Sequence, residues 1–307
     1  MQSLQMGLNR LDNSHPLSPT LAEKISSKQA GIGGEERLAD IFLKYTFTIE
    51  HRIFHDVSLF SSTHFQMDSL FITSSFVLIF EVKNIGGRLK FIDDPPQLIR
   101  TRPNGQVDGY ESPATQVERN VELFDEWLQA RGVHLPVIGV VVLAYPKQIV
   151  EKAPAKTKVL FPNLIPTYIR SLSMFPLKLD NGKLDWLTAE ILSEHQFYVP
   201  KPLCEMFPIN KKDIQTGVVC PLCHNIGMKR IKRTWHCSNC EKNKQLAHEQ
   251  TIKEWFLLFG GTMKNADCRQ FLHIDNKDTA TRILQKMNLK FNGNYQHRTY
   301  TMDFTYK

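Results

Sequence analysis

The spacing of apolar residues changes along this chain, and the changes mark its elements. Leu38, Ile41, Phe42 and Tyr45 recur at i, i+3, i+4 and i+7, the stripe of an amphipathic helix. Glu35 falls one turn earlier on that stripe, where a carboxylate is out of place. Gly31 to Gly34 reads as a break before the helix. Residues 1–30, polar and holding Pro16 and Pro19, read as an irregular arm with one short helix. Phe65–Thr73 and Phe76–Lys83 read as two strands joined through Ser74-Ser75. The second contains FVLIF, a continuous apolar run expected of a strand covered on both faces.

Asn84-Ile85-Gly86-Gly87 then turns the chain into a strand over Arg88–Ile92, and Asp93-Asp94-Pro95-Pro96 turns it again. Thr101 to Glu111 reads as a long loop. It ends at Ser112-Pro113, an N-cap followed by an N1 proline. Val117, Val121, Phe124 and Leu128 mark the next helix, and Val137–Tyr145 a further buried strand. Helices alternating with strands predict an α/β core. Residues 146–200 predict a helix or two and a short strand. The nine-residue run Val137–Tyr145 is the longest apolar stretch, short of the roughly 20 residues a membrane helix needs. The opening MQSLQMGLNRLDNSHP has no apolar h-region and no small-residue cleavage site, so a cytoplasmic protein without membrane attachment is expected.

Composition alters the picture only beyond Tyr198-Val199-Pro200-Lys201-Pro202, which reads as a linker. Residues 201–307 hold 18 Lys/Arg and 9 Asp/Glu, net +9, whereas residues 1–200 hold 20 and 22, net −2; together they give the chain's +7. A one-sided basic excess suits a polyanionic partner, although a solvated surface has the same composition. Four of the six cysteines form two CxxC pairs, Cys220/Cys223 and Cys237/Cys240, with 13 residues between them. This is the spacing of a structural four-cysteine Zn2+ ribbon. Cys204 and Cys268 are left as free thiols. Lys229, Arg230, Lys232 and Arg233, with Trp235, lie between the pairs and could follow a phosphate backbone.

Beyond the ribbon, Ile252, Trp255, Phe256 and Phe259 mark a helix stopped by Gly260-Gly261. Asn265–Leu272 reads as a short second helix, and Asp278–Met287 as a third after a turn. Thr279, Thr281, Arg282 and Lys286 fall on the outer face of the third helix, suited to phosphates and base edges. Lys290–Tyr300 reads as a hairpin with Asn292-Gly293 at its tip. This order is similar to winged-helix DNA-binding domains; small three-helix protein-interaction modules share much of it.

Charged residues are conspicuous where FVLIF ends. Strand alternation puts Glu81 and Lys83 on one face, and Gln66 and Asp68 on one face of the preceding strand. If the strands pair through the short turn, Asp68 lies near Glu81. Two acids and a lysine leaving an apolar sheet form either a strand-end salt bridge or a site for a hard cation such as Mg2+ or Mn2+. Gln116 and Asn120 stack at i, i+4 on the later helix.

Together GIGGEE, FQMDSL, FEVKNIGG and SPATQVERN, in this order and spacing, resemble the nuclease-related domain (NERD) family, a branch of the PD-(D/E)xK restriction-endonuclease-like superfamily. The resemblance runs from about Gly31 to Leu128, and more loosely into the arm. Met67 stands where the family usually has isoleucine or valine. The resemblance implies that Glu35 is the helix acid, Asp68 the metal-binding aspartate, Glu81 and Lys83 the ExK pair, and Gln116 the glutamine of the following helix. It also implies a restriction-endonuclease-like core with a mixed central sheet flanked by helices.

The expected organisation is an arm (1–30), a nuclease-related domain (31–200), a zinc ribbon (217–244) and an α+β winged-helix-like domain (245–307). The expected activity is metal-dependent hydrolysis of DNA phosphodiesters, with Asp68 and Glu81 holding Mg2+ or Mn2+. The alternatives are RNA as substrate, and a non-catalytic DNA-binding or regulatory protein that keeps the nuclease-like core as a scaffold.

Overall fold

A computed structural model describes residues 1–172, 174–196, 201–294 and 297–304. The chain divides into two compact units, one of Gln29–Tyr198 and one assembled from Met1–Lys28 and Val199–Lys307. The chain begins with two helices, α1 (Gln2–Arg10) and α2 (Ser18–Lys44). The expected irregular arm is therefore largely helical. Leu4, Leu11, Leu21 and Ile25 are buried in the same core as Trp235, Ile252 and Phe256. Four apolar side chains among polar ones give a weak periodic signal, and distant residues supply the packing that fixes them. Arg10, 1% exposed, donates from Nε and Nη2 to Glu254 Oε2 (2.9 and 2.7 Å) and from Nη1 to the carbonyl of Gln215 (2.7 Å).

The expected break at Gly31–Gly34 is absent, and α2 runs through it. A mid-helix glycine costs only about 1 kcal/mol relative to alanine, and here close packing offsets it. A β-carbon on Gly34 would lie 3.2 Å from Asn84 Cβ, 3.3 Å from Val82 Cγ1 and 3.4 Å from Ala144 Cβ. The missing side chain lets the helix lie directly on the sheet.

That sheet holds β1 (His51–Phe60), β2 (His64–Thr73), β3 (Val77–Lys83), β7 (Val137–Leu143) and β9 (Lys158–Leu160), in that spatial order. β1–β2 and β2–β3 are antiparallel, while β3–β7 and β7–β9 are parallel. A second mixed sheet, in the order β6-β5-β4-β8, contains β4 (Arg88–Asp93), β5 (Pro96–Thr101), β6 (Val107–Glu111) and β8 (Ile149–Lys152). The supposed loop Thr101–Glu111 is thus half strand; its turn-rich centre hid the pairing of β6 with β5. Helices α3 (Pro113–Gln129), α4 (Ile165–Ser171) and α5 (Asn181–Glu194) complete this α/β unit. Pro113 takes the first helical position as expected, but the Ser112 side chain makes no capping bond.

The two faces of β3 pack differently. Leu78, Phe80 and Val82 join the core that contains Leu38 and Phe42 of α2. Val77 and Ile79 join the core that contains Val117 and Phe124 of α3. By alternation Glu81 and Lys83 face the α3 side. β2 departs from the strict alternation expected of it. Phe65 and Met67 share a core with Leu70 and Ile72, so the face slips by one residue at Asp68–Ser69.

In the other unit, β10 (Val218–Val219), β11 (Ile226–Ile231), β12 (Thr234–His236) and β13 (Asn243–Lys244) form a four-stranded sheet. There follow α7 (Ala247–Phe259), β14 (Met263–Lys264), α8 (Asn265–Leu272), α9 (Lys277–Lys286), β15 (Lys290–Asn292) and β16 (Thr299–Thr301). A short helix, α6 (Leu203–Met206), precedes them; the Tyr198–Pro200 part of the expected linker lies outside the described residues. β15 and β16 pair as the expected hairpin, with Gly293 at φ 81°, and β14 adds an unexpected third strand against β16. Among the described residues no helix is long and apolar enough to cross a membrane.

Candidate active site and metal centre

The β2–β3 ladder runs from Ile72↔Val77 to Ser69↔Phe80 and stops there. Asp68 and Glu81 are the next residues on either strand, where the pair opens. The Val82 N–H donates to Asp68 Oδ2 at 2.7 Å, so the carboxylate takes the donor that further pairing would have used. This seats Asp68 beside the Glu81–Val82 peptide.

Glu81 is 1% exposed. Its Oε1 accepts from Lys83 Nζ at 2.5 Å, and the same ammonium donates to Gln116 Oε1 on α3 at 3.1 Å. Gln116 is held in reach because the next turn of α3 is pinned to β2: buried Asn120 donates from Nδ2 to the Gln66 carbonyl at 2.8 Å. The i, i+4 amides are therefore not surface decoration. Glu35 belongs to α2, whose Leu38 and Phe42 pack against the face of β3 that carries Leu78, Phe80 and Val82; it is half-buried and electrostatically coupled to Asp68 and Lys83.

Electrostatics show what the group lacks. Burial, followed by repulsion from Asp68 and Asp56, pushes the Glu35 carboxyl up to about 7. Burial and then Asp68 push Glu81 up to about 7 as well, although Lys83 pulls the other way. Asp68 is also raised, chiefly by burial, against the opposing Val82 N–H and Lys83. One ammonium does not compensate three carboxyl groups in a half-dry setting, so desolvation and mutual repulsion win. Hard oxygen donors short of positive charge suit Mg2+ or Mn2+. Among the described residues, the group of three or more side chains gathered to hold a metal is the four cysteines and not Glu35, Asp68 and Glu81.

One acid escaped the sequence reading. Asp56 adds to the charge on Glu35 and Asp68, and its Oδ1 accepts from Gln66 Nε2. It lies in β1 between the pairs His55↔Ser69 and Val57↔Met67, at φ 53°. A left-handed aspartate inside a strand, opposite the slip at Asp68, is strain of the kind that collects at functional sites. No periodicity signals it.

The match falls on these residues. Residues 30–144 match the family model of the nuclease-related domain. This nuclease-related match takes in Glu35, Asp68, Glu81, Lys83 and Gln116 and ends just past β7; it covers rather more than a third of the chain. No curated protein and no solved structure matches the chain. The cysteine and basic segments lie outside the nuclease-related match.

The second centre is formed by the cysteines. The sulfur atoms of Cys220, Cys223, Cys237 and Cys240 all lie within 4.8 Å of one another. Cys220 and Cys240 Sγ are 3.7 Å apart, and Cys223 and Cys237 Sγ 3.6 Å. A tetrahedron with Zn–S bonds of ~2.3 Å has edges of about 3.8 Å, so the spacing fits zinc. The two CxxC turns are built alike. Each is followed by a left-handed residue, His224 (φ 59°) and Glu241 (φ 58°), whose N–H donates to the carbonyl of the first cysteine of its pair. His236 Nδ1 meets Asn243 Oδ1 at 3.0 Å, and neither it nor His224 joins the cysteine group. Cys204 and Cys268 are free thiols; burial pushes Cys268 up to about 12.

Among the basic candidates, Lys229, Lys232 and Arg233 are exposed on the β11–β12 hairpin, and Lys232 turns its tip at φ 49°. Arg230 is half-buried. On α9, Arg282 and Lys286 are exposed and Thr279 is half-buried. The Thr281 hydroxyl accepts from Asn265 Nδ2 and donates to the Lys277 carbonyl, so it serves the α8–α9 seam.

Proposed function

We propose that this protein is a metal-dependent nuclease acting on DNA phosphodiester bonds. The observation that carries the reading is the chain Glu81–Lys83–Gln116, with Asp68 seated against the Glu81–Val82 peptide where β2 and β3 part. The antiparallel β1–β2–β3 followed across α3 by parallel β7 supports a restriction-endonuclease-like core. Mg2+ or Mn2+ held by Asp68 and Glu81 would stabilise charge growing on the phosphoryl oxygens and make water a better nucleophile. Lys83 orients that water and offsets negative charge, and Gln116 holds its ammonium in place. Glu35, titrating near neutrality, can take up or release a proton beside the phosphate.

The ribbon and the elements α7 to β16 hold the nucleic acid in this reading. The order α7-β14-α8-α9-β15-β16, with its β14-β16-β15 sheet, supports a winged helix that presents α9. Zn2+ at the four cysteines has a structural role.

Plasmid DNA incubated with the protein and Mg2+ or Mn2+ should be degraded, and EDTA should stop degradation. Lys83→Ala should slow it by about 100-fold or more; equal cleavage by the variant would remove Lys83 from the chemistry. That the three acids do not form a ligand cluster as the four cysteines do favours a second reading, a non-catalytic DNA-binding scaffold. Salt-sensitive duplex binding that survives Asp68→Asn with Glu81→Gln, without cleavage by the wild type, would establish that reading instead.

A further inference from the structure

In the α/β unit Arg52, Arg88, Arg102, Arg119 and Arg131 each pair with a carboxylate. Arg37 and Lys147 do not. Both are exposed, and among the described residues neither makes a hydrogen bond or an ion pair. What each meets is the ring of Tyr145: Arg37 Cζ lies 5.0 Å from its centroid and Lys147 Nζ 6.0 Å. Tyr145 is half-buried and packs against the core that holds Leu38 and Phe42, so its ring is an anchored surface. Pro146 follows in a turn, where its fixed φ suits the second position, and the turn carries Lys147 back to the ring. An aromatic ring attracts cations but has no net charge with which to neutralise them. Two like charges gathered on one ring repel each other in the free protein, and a bound anion relieves that repulsion.

The place of the group in the fold says which anion. β3 and β7 are parallel, with Lys83 opposite Leu143. The Ala144 N–H donates to the Lys83 carbonyl at 3.0 Å, so Tyr145 leaves the sheet at the end where Lys83 stands. Arg37 comes to the same end because α2 lies directly on it: a β-carbon on Gly34, one turn before Arg37, would lie 3.4 Å from Ala144 Cβ. Glu35 is the residue between Gly34 and the turn that bears Arg37. Open α/β sheets bind their ligands beyond the carboxyl ends of parallel strands.

We propose that Arg37 and Lys147, gathered on Tyr145, grip backbone phosphates of the DNA substrate next to the scissile bond. Arg37 offers a planar N–H fork to phosphate oxygens and Lys147 a compact charge. Tyr145 is a positioning residue that keeps both cations at the catalytic edge. The grip rests on the nuclease reading above, and adds the side chains that seat the substrate strand on the α2 side of the site.

The test is steady-state cleavage of a labelled DNA duplex by the full-length, zinc-loaded protein with Mg2+ or Mn2+, across a NaCl series. The variants are Arg37→Gln, Lys147→Gln, Tyr145→Leu and Tyr145→Phe, and circular dichroism with thermal unfolding verifies each fold. Each glutamine variant should raise KM roughly five- to tenfold and leave kcat within about twofold, the pattern of lost binding without lost chemistry. Each should also lower the slope of log(1/KM) against log[salt] by about 0.9, the value of one phosphate contact. Tyr145→Leu should raise KM by a similar factor although it removes no charge. Tyr145→Phe, which keeps the ring, should restore most of that loss.

Unaltered KM and salt slope in the folded glutamine variants would overturn the grip and leave the nuclease reading intact. A fall in kcat at constant KM would also overturn it, by placing these cations in the chemical step. Tyr145→Leu with the wild-type KM would remove the ring as organiser and contradict the arrangement proposed. If the wild type cleaves nothing with either metal, the nuclease reading fails and the grip fails with it.

Discussion

Glu81 shows most clearly what a single residue contributes. Its carboxyl is raised from 4.5 to about 7 despite an ion pair with Lys83, so burial and Asp68 together outweigh the ammonium. Between pH 4.5 and 7 the folded chain therefore binds more protons at Glu81 than the unfolded chain does. Metal-free stability should fall as pH rises through that window. Glu81→Gln removes the term. In buffer free of Mg2+ and Mn2+ the variant should be more stable than wild type at pH 8, by about 1–2 kcal/mol, with the advantage shrinking at pH 5. Urea denaturation at the two pH values measures this, and a variant less stable at pH 8 would contradict it. Acid and lysine positions at the end of FVLIF were legible because ionised groups leaving an apolar run need a reason. Asp56 was not legible, since its role comes from a left-handed backbone and a slip in strand alternation that only the folded pair β1–β2 displays.

At the scale of elements, α2 and its contact with the sheet control where Glu35 stands. The glycines of α2 look alike in sequence but differ in surroundings. A Cβ on Gly31 meets nothing within 4 Å, whereas one on Gly34 meets Asn84, Val82 and Ala144 at 3.2 to 3.4 Å. Gly31→Ala should stabilise the protein by about 0.5–1 kcal/mol through lost freedom in the unfolded chain. Gly34→Val should destabilise it by about 1–3 kcal/mol and reduce cleavage at temperatures where it remains folded, because the helix must lift and carry Glu35 with it. Thermal unfolding and plasmid cleavage check both, and equal behaviour of the two variants would show that the close approach is not needed. Local propensity at the cluster GIGG favours a break. The helix persists because packing decides the outcome, and packing partners fifty and a hundred residues away leave no local trace. The same applies to β6, hidden in a stretch that reads as loop, and to β14, two residues long.

On the scale of the whole molecule, the basic excess of the final third belongs to a unit that also contains the first 28 residues. Contiguous reading could place the charge and the cysteines, but not the return of α1 to that core, where Leu4 and Leu11 pack and Arg10 pairs with Glu254. The four-cysteine cluster sits in this core: Cys220 and Cys237 are buried in it with Leu4 and Leu21. Cys237→Ser should reduce bound zinc from one per chain toward none by mass spectrometry. It should also loosen α2 enough for trypsin to cut at Lys24 and Lys28, whose side chains are exposed in the intact helix, although they lie more than 200 residues earlier in the chain. Resistance of those lysines after zinc loss would show that the N-terminal helices stand without the metal.

The central claim is that Asp68 and Glu81 serve one cation with Lys83 beside it, and anomalous scattering at the manganese edge from Mn2+-soaked crystals tests it most directly. The account predicts one strong peak bonded to a carboxylate oxygen of each acid at about 2.0–2.3 Å, with Lys83 Nζ still against Glu81 or Gln116. No peak between Asp68 and Glu81, with their carboxylates unmoved at saturating Mn2+, would contradict it.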